Sequence, residues 1–151
     1  MRVTLDSTIL VRANQRAVGP ARALLLEVLD RGHRLVLSAS LLEEVERVLH
    51  YPRLLKLSGL TETDITKFVA FLAACAEIVE VEETWSAPIR DPNDVHVLQT
   101  AITGRVDYLC TLDGHFRESA VVTYCSSRGI TVISDLDLLR LVRETLADAT
   151  S

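Results

Sequence analysis

The apolar positions fall into short runs separated by amphipathic stretches, the pattern of strands alternating with helices. Arg2 to Leu5 is a first strand that ends at Asp6. Val18-Gly19-Pro20 opens a helix over Ala21 to Leu29, striped by Leu24, Leu25, Val28 and Leu29 and stopped by Arg31-Gly32-His33. Arg34 to Leu37 is a second strand. Ser38 or Ser40 then caps a helix from Leu41 to Leu49, which Tyr51-Pro52 closes. Thr61 or Thr63 caps a helix from Asp64 to about Ala76, Ile78 to Val81 reads as strand, and Thr84 to Arg90 is a loop.

Asp91-Pro92-Asn93-Asp94 opens the next helix with Pro at its first position, and the helix runs to Thr103-Gly104. Val106 to Cys110 is a strand that leaves through the turn Thr111-Leu112-Asp113-Gly114. Ile130 to Ile133 follows Gly129 as the last strand, and Ser134 caps a final helix that ends near Leu146. This alternation predicts an α/β fold, a three-layer α/β/α sandwich with a mostly parallel central sheet, as one domain over 1–147 with a tail at 148–151.

Composition narrows the class. With 48% apolar and 25% charged residues among 151, the chain is neither disordered nor fibrous. Its longest apolar run, Phe68 to Ala76, is far below the roughly 20 residues of a membrane span. Asp6 interrupts the place where a secretory leader needs an apolar centre, so a cytoplasmic protein without membrane contact is expected. Cys75, Cys110 and Cys125 form no C-x-x-C pair and read as small buried residues rather than a disulfide framework or zinc site. The net charge of -5 argues against a basic footprint for nucleic acid over the whole surface, but an acidic, metal-centred nuclease site remains compatible with it.

In parallel sheets ligands bind beyond the carboxyl ends of the strands. Asp6 and Asp113 follow strands, beside the hydroxyl residues Ser7, Thr8 and Thr111, and each alone is explained as a cap. Asp94 shares the apolar stripe of Val97, Leu98 and Ala101, where a cap explains it less well than it explains Asp91. On the helix from Leu41, Glu44 and Glu46 border the apolar stripe on opposite sides, and periodicity does not choose between them. Carboxylates converging in a cleft repel one another, and a hard divalent cation relieves the repulsion. Magnesium, with manganese as the alternative, and phosphodiester hydrolysis are the chemistry that such a set suits. No P-loop, G-x-G-x-x-G or G-x-S-x-G pattern points elsewhere.

Four segments carry a resemblance that spans almost the whole chain: Val3-Thr4-Leu5-Asp6 to Val11, Leu35 to Glu44, Arg90-Asp91-Pro92-Asn93-Asp94 to Ala101, and Asp107 to Asp113. In order and spacing they resemble the PIN-domain nucleases, and within these the VapC-like toxins of toxin–antitoxin pairs. The resemblance implies that Asp6, Glu44, Asp94 and Asp113 are the catalytic, metal-binding quartet, and it selects Glu44 over Glu46. It implies RNA as substrate, an endoribonuclease activity, and an antitoxin protein as partner; self-association through helix faces is a further expectation. Thr111, Ser7, Asp91 and His115 are supporting candidates around the quartet. Two departures stand out. Thr8 occupies a place where the family often has Asn, and His115 one where it often has an acid.

His115 invites a general-acid role against the simpler reading of an exposed turn residue. Asp107 reads as a turn residue, Asp135 and Asp137 as helix caps, and Trp85 as part of a partner surface or a core cover. Arg12, Arg16, Arg90 and Arg117 neighbour the expected cleft. The competing functions are a catalytically silent PIN-like interaction module that binds a protein or RNA, and an aspartyl-phosphate enzyme or receiver domain. The last is disfavoured because Thr8 stands where a phosphatase has its second Asp and no lysine falls at a strand end.

Overall fold

The computed structural model describes residues 1–82, 88–89 and 91–150, with side chains for all of these except 92–93 and 146–150. In chain order the elements are β1 (Arg2–Leu5), α1 (Ser7–Arg12), α2 (Pro20–Asp30), β2 (Arg34–Ser38), α3 (Ala39–Leu49), α4 (Pro52–Ser58) and α5 (Glu62–Cys75). There follow β3 (Glu77–Val79), α6 (Pro92–Thr103), β4 (Tyr108–Cys110), a 3₁₀ turn (Gly114–Arg117), α7 (Ser119–Ser126), β5 (Thr131–Ile133) and α8 (Asp135–Thr150). Among the described residues the strands form one parallel sheet in the order β3-β2-β1-β4-β5.

Both faces of this sheet are covered, as an α/β/α sandwich requires. On β1, Val3 and Leu5 point one way and Thr4 the other, and all three are buried; the same holds for Leu35, Val36 and Leu37 of β2. Thr4 tolerates burial because its hydroxyl donates to the Val36 carbonyl at 2.8 Å. Helix α6 packs on β1, β2 and β4, while α2 packs on β2 and α8. Gly104, which ends α6, is required by close approach, because a Cβ there would run into the Val36 side chain.

The chain builds β1, β2 and β3 outward on one side and then returns to lay β4 and β5 on the other side of β1. The order therefore reverses between β1 and β4, and a crevice opens beyond the carboxyl ends of strands at such a point. Asp6 follows β1 there, and Thr111 and Asp113 follow β4.

Capping settles two alternatives: Ser38, not Ser40, accepts from the Leu41 N–H at 3.4 Å, and Thr61, not Thr63, caps α5. Helices α1, α4 and α7 were not expected. In α1 the β-branched Thr8, Ile9 and Val11 imitate a continuing strand, and the Asp6 cap overrides them. For α4, Tyr51-Pro52 reads as a stop but begins a new helix with Pro in its first turn and left-handed Gly59 after its end. Helix α7 has no side-chain cap to announce it. The last helix runs on to Thr150. Cys110 and Cys125 are buried as expected, whereas Cys75, at the end of α5, is exposed. No helix among the described residues is long and apolar enough to cross a membrane. The loop Thr84 to Arg90, with Trp85 and Arg90, lies largely outside the described residues, and those two residues lie wholly so.

Candidate metal centre

Asp6 sits on the floor of the β1/β4 crevice and is buried. Its N–H donates to the Cys110 carbonyl at 3.0 Å, tying the two strand ends together. One carboxylate oxygen, Oδ1, accepts from the Ile9 N–H at 3.0 Å and so caps α1. The other, Oδ2, accepts from the hydroxyl of fully buried Thr111. That same hydroxyl accepts from the Asp113 N–H at 3.0 Å. Thr111 thus ties the Asp6 carboxylate at one strand end to the Asp113 backbone beyond the next.

Asp113 in turn caps the 3₁₀ turn, its Oδ1 accepting from the His115 N–H at 2.9 Å. The His115 ring leans back over the acids: Nδ1 lies 2.9 Å from Asp94 Oδ2 and 3.4 Å from Asp113 Oδ1. Asp94 stands in the first turn of α6, whose start is held by the Asp94 N–H donating to the Asp91 carbonyl at 3.0 Å. Donor atoms of Asp91, Asp94 and His115 all lie within 4.8 Å of one another. A run of contacts therefore joins Asp6, Thr111, Asp113, His115 and Asp94.

Electrostatics follow from this crowding. Burial pushes the Asp6 carboxyl above its ordinary value; the Thr111 and Ile9 hydrogen bonds oppose that, and the charges of Asp113 and Asp94 add to it. Asp94 is likewise raised, first by burial and then by Asp113 and Asp91, with His115 opposing. His115 is raised in return, chiefly by its hydrogen bond to Asp94 and then by Asp113.

Glu44 takes different partners. On α3 it is half-buried while Glu46 is exposed, so the side that periodicity left open is the one turned toward α6. Its Oε2 lies 3.0 Å from His96 Nε2 and its Oε1 lies 3.9 Å from Arg47 Nη2. The contact with His96 is close, but Glu44 Oε2 has no hydrogen-bond partner there, and neither does buried His96 Nδ1. The His96 carbonyl accepts from the Thr100 hydroxyl at 2.6 Å, which lies 2.7 Å from Ser38 Oγ at the end of β2. His96 and Thr100 escaped the sequence reading. Helical spacing gives no signal for His96, since two residues beyond Asp94 it falls on another face of α6 and its partner Glu44 is distant in sequence.

The remaining candidates separate cleanly. Ser7 is half-buried at the start of α1 and Thr8 is exposed. Asp107 accepts from the Arg2 N–H at 2.8 Å, a structural tie, and Ser134 accepts from the Asp137 N–H at 3.2 Å at the start of α8. Arg12 and Arg117 are exposed, and Arg16 lies 3.7 Å from Asp64, far along the chain from the crevice acids.

A set of carboxylates with the His115 imidazole, two of its acids pushed up by burial and by neighbouring carboxylates, fits a divalent cation, and Glu44 Oε2, buried without a hydrogen-bond partner, adds an oxygen on the adjoining helix. No match was found among curated proteins. The family model for the PIN domain matches residues 2–115, from β1 to the His115 turn, and so takes in Asp6, Glu44, Asp94 and Asp113 together. By that match the chain belongs to the PIN-domain family.

Proposed function

We propose that this PIN domain is a metal-dependent endoribonuclease that hydrolyses RNA phosphodiester bonds as the toxin of a toxin–antitoxin pair. PIN domains are generally metal-dependent nucleases. The observation that carries the reading is the gathering of Asp6, Asp94 and Asp113 at the sheet's switch point, where burial and mutual repulsion raise Asp6 and Asp94. Structure alone gains nothing from crowding acids in this way.

Asp6, Asp94 and Asp113 would hold the cation, with Glu44 completing the set from α3. Magnesium or manganese bound there supplies an oriented water for attack on phosphorus and offsets the charge of the phosphate. The chain's own contribution is placement. Thr111 ties the Asp6 carboxylate to the Asp113 backbone across adjacent strand ends. Asp6 forms the dry floor, and Asp113, with its side chain 39% exposed, lies at the mouth where a polyanion arrives. An antitoxin partner suits the same acid-lined mouth if it presents a basic side chain. RNA as the substrate and a homodimer through helix faces belong to this reading.

The test is cleavage of a mixed RNA pool by the purified, partner-free protein in magnesium or manganese, beside Asp94→Asn. Cleavage that needs the cation and falls by about a hundredfold or more in the variant, with the circular dichroism spectrum unchanged, is the expected result. Cleavage retained in Asp94→Asn overturns the assignment. Absence of cation-dependent turnover in the native chain favours the silent interaction module.

A further inference from the structure

Oxygen donors dominate this centre, and on the side of Asp94 and Asp113 the His115 nitrogen lies among them. His115 Nδ1 is 2.9 Å from Asp94 Oδ2 and 3.4 Å from Asp113 Oδ1, and it shares the 4.8 Å cluster with Asp91 and Asp94. Its side chain is 54% exposed, so an ion pair alone would hold the ring only weakly. The backbone fixes where the side chain departs. The His115 N–H donates to Asp113, whose own N–H donates to Thr111, whose hydroxyl donates to Asp6. The His115 backbone is thereby tied to the same frame that fixes the acids, and its half-exposed ring lies against Asp94 and Asp113.

We propose that His115 is itself a ligand of the cation that Asp94 and Asp113 hold, with Asp91 beside it, and that this nitrogen shifts the centre's preference from magnesium toward first-row transition cations. Magnesium is hard and takes oxygen, whereas imidazole favours transition cations over it. This deepens the nuclease reading and rests on its cation. It also gives His115 a different task from protonating a leaving oxygen.

The probes are Co²⁺, Mn²⁺ and Mg²⁺ with the full chain. Calorimetric titration of the native protein and of His115→Asp gives the ratio of Co²⁺ to Mg²⁺ affinity. The ratio is the informative quantity, because the added negative charge strengthens binding of both cations while only the nitrogen distinguishes them. It is expected to fall by roughly tenfold or more in His115→Asp. Pulsed electron paramagnetic resonance of bound Mn²⁺ should show nitrogen coupling in the native chain and in His96→Gln, and none in His115→Asp. An unchanged ratio overturns the proposal, as does Mn²⁺ bound without nitrogen coupling or coupling that survives in His115→Asp. If one of these outcomes accompanies magnesium-supported RNA cleavage, the nuclease reading stands and only the ligand assignment fails. A native chain that binds no divalent cation overturns both.

Discussion

Two aspartates, Asp6 and Asp64, each accept a backbone N–H at the start of a helix, and their surroundings pull the two carboxyls in opposite directions. Asp64 closes a reciprocal capping box on α5: its Oδ2 accepts from the Thr61 N–H at 2.9 Å, and the Thr61 hydroxyl accepts from the Asp64 N–H at 3.1 Å. The backbone and side chain of Thr61 hold its carboxyl below the ordinary value, with Arg16 and Lys67 helping. Asp6 accepts hydrogen bonds on both carboxylate oxygens, from Ile9 and from Thr111, yet its carboxyl is raised. The number of hydrogen bonds is therefore not what separates them. Asp64 is only half-buried and lies beside cations, while Asp6 is buried beside Asp113 and Asp94. A helix cap needs only the first arrangement. The second is a local cost that a bound cation would remove, and that marks the crevice as a functional rather than a structural feature.

The sharpest way to break this contrast is Asp6→Asn. Asparagine keeps an oxygen for the Ile9 N–H, and the Thr111 hydroxyl can rotate to accept where it now donates. What disappears is one buried negative charge. Cation-dependent cleavage should fall by about a hundredfold or more, while the chelator-treated protein melts at the same temperature as the native chain or higher. A large loss of stability would instead make Asp6 a structural cap of the same kind as Asp64.

The contrast also explains what could be read from the sequence. Strand-end position exposed Asp6 and Asp113, because the switch point of a parallel sheet gathers whatever follows its strands. Asp94 stood out as an acid aligned with an apolar stripe. Glu44 and Glu46 could not be separated by periodicity, since each borders the stripe of α3 and only the packing of α6, with His96 against Glu44, distinguishes the sides. His96 was invisible for the same reason, its partner lying on a helix distant in sequence. Thr111, a supporting candidate by its place after a strand, accepts from the Asp113 N–H while donating to Asp6. In the fold, the longer helices and all five strands follow from the apolar pattern, with strand ends differing by a residue or two. The short helices α1, α4 and α7 were hidden because six to eight residues carry too little periodicity to outweigh β-branched residues, a proline or a missing cap.

A smaller effect sharpens the structural side. Thr61→Ala removes the hydroxyl of the capping box on α5, remote from the crevice, and should destabilise the protein by about 1 kcal/mol. Cleavage per folded molecule should not change. Equilibrium denaturation and turnover, measured on the same preparation, check both halves, and a loss of turnover beyond the loss of folded protein would mean that α5 contributes to the site.

The smallest effect is a divergence with pH, read from denaturation midpoints of chelator-treated protein as pH falls from neutral. The depressed carboxyl of Asp64 adds stability above its ordinary value of 3.8, and that stability is lost as pH falls through the lower folded value. The native chain should therefore lose its advantage over Asp64→Asn below about pH 3.8. Asp6 has the opposite sign. Its folded value lies above 3.8, so its charged form costs stability at neutral pH, and the cost is relieved as pH falls through the raised value toward 3.8. Over that higher window the native chain should gain on Asp6→Asn. Because the two variants differ from the native chain by the same substitution, general acid unfolding cancels and the signs alone decide. Two differences that move in the same direction would mean that burial beside the other crevice acids does not raise Asp6, and the distinction between a cap and a site would fall with it.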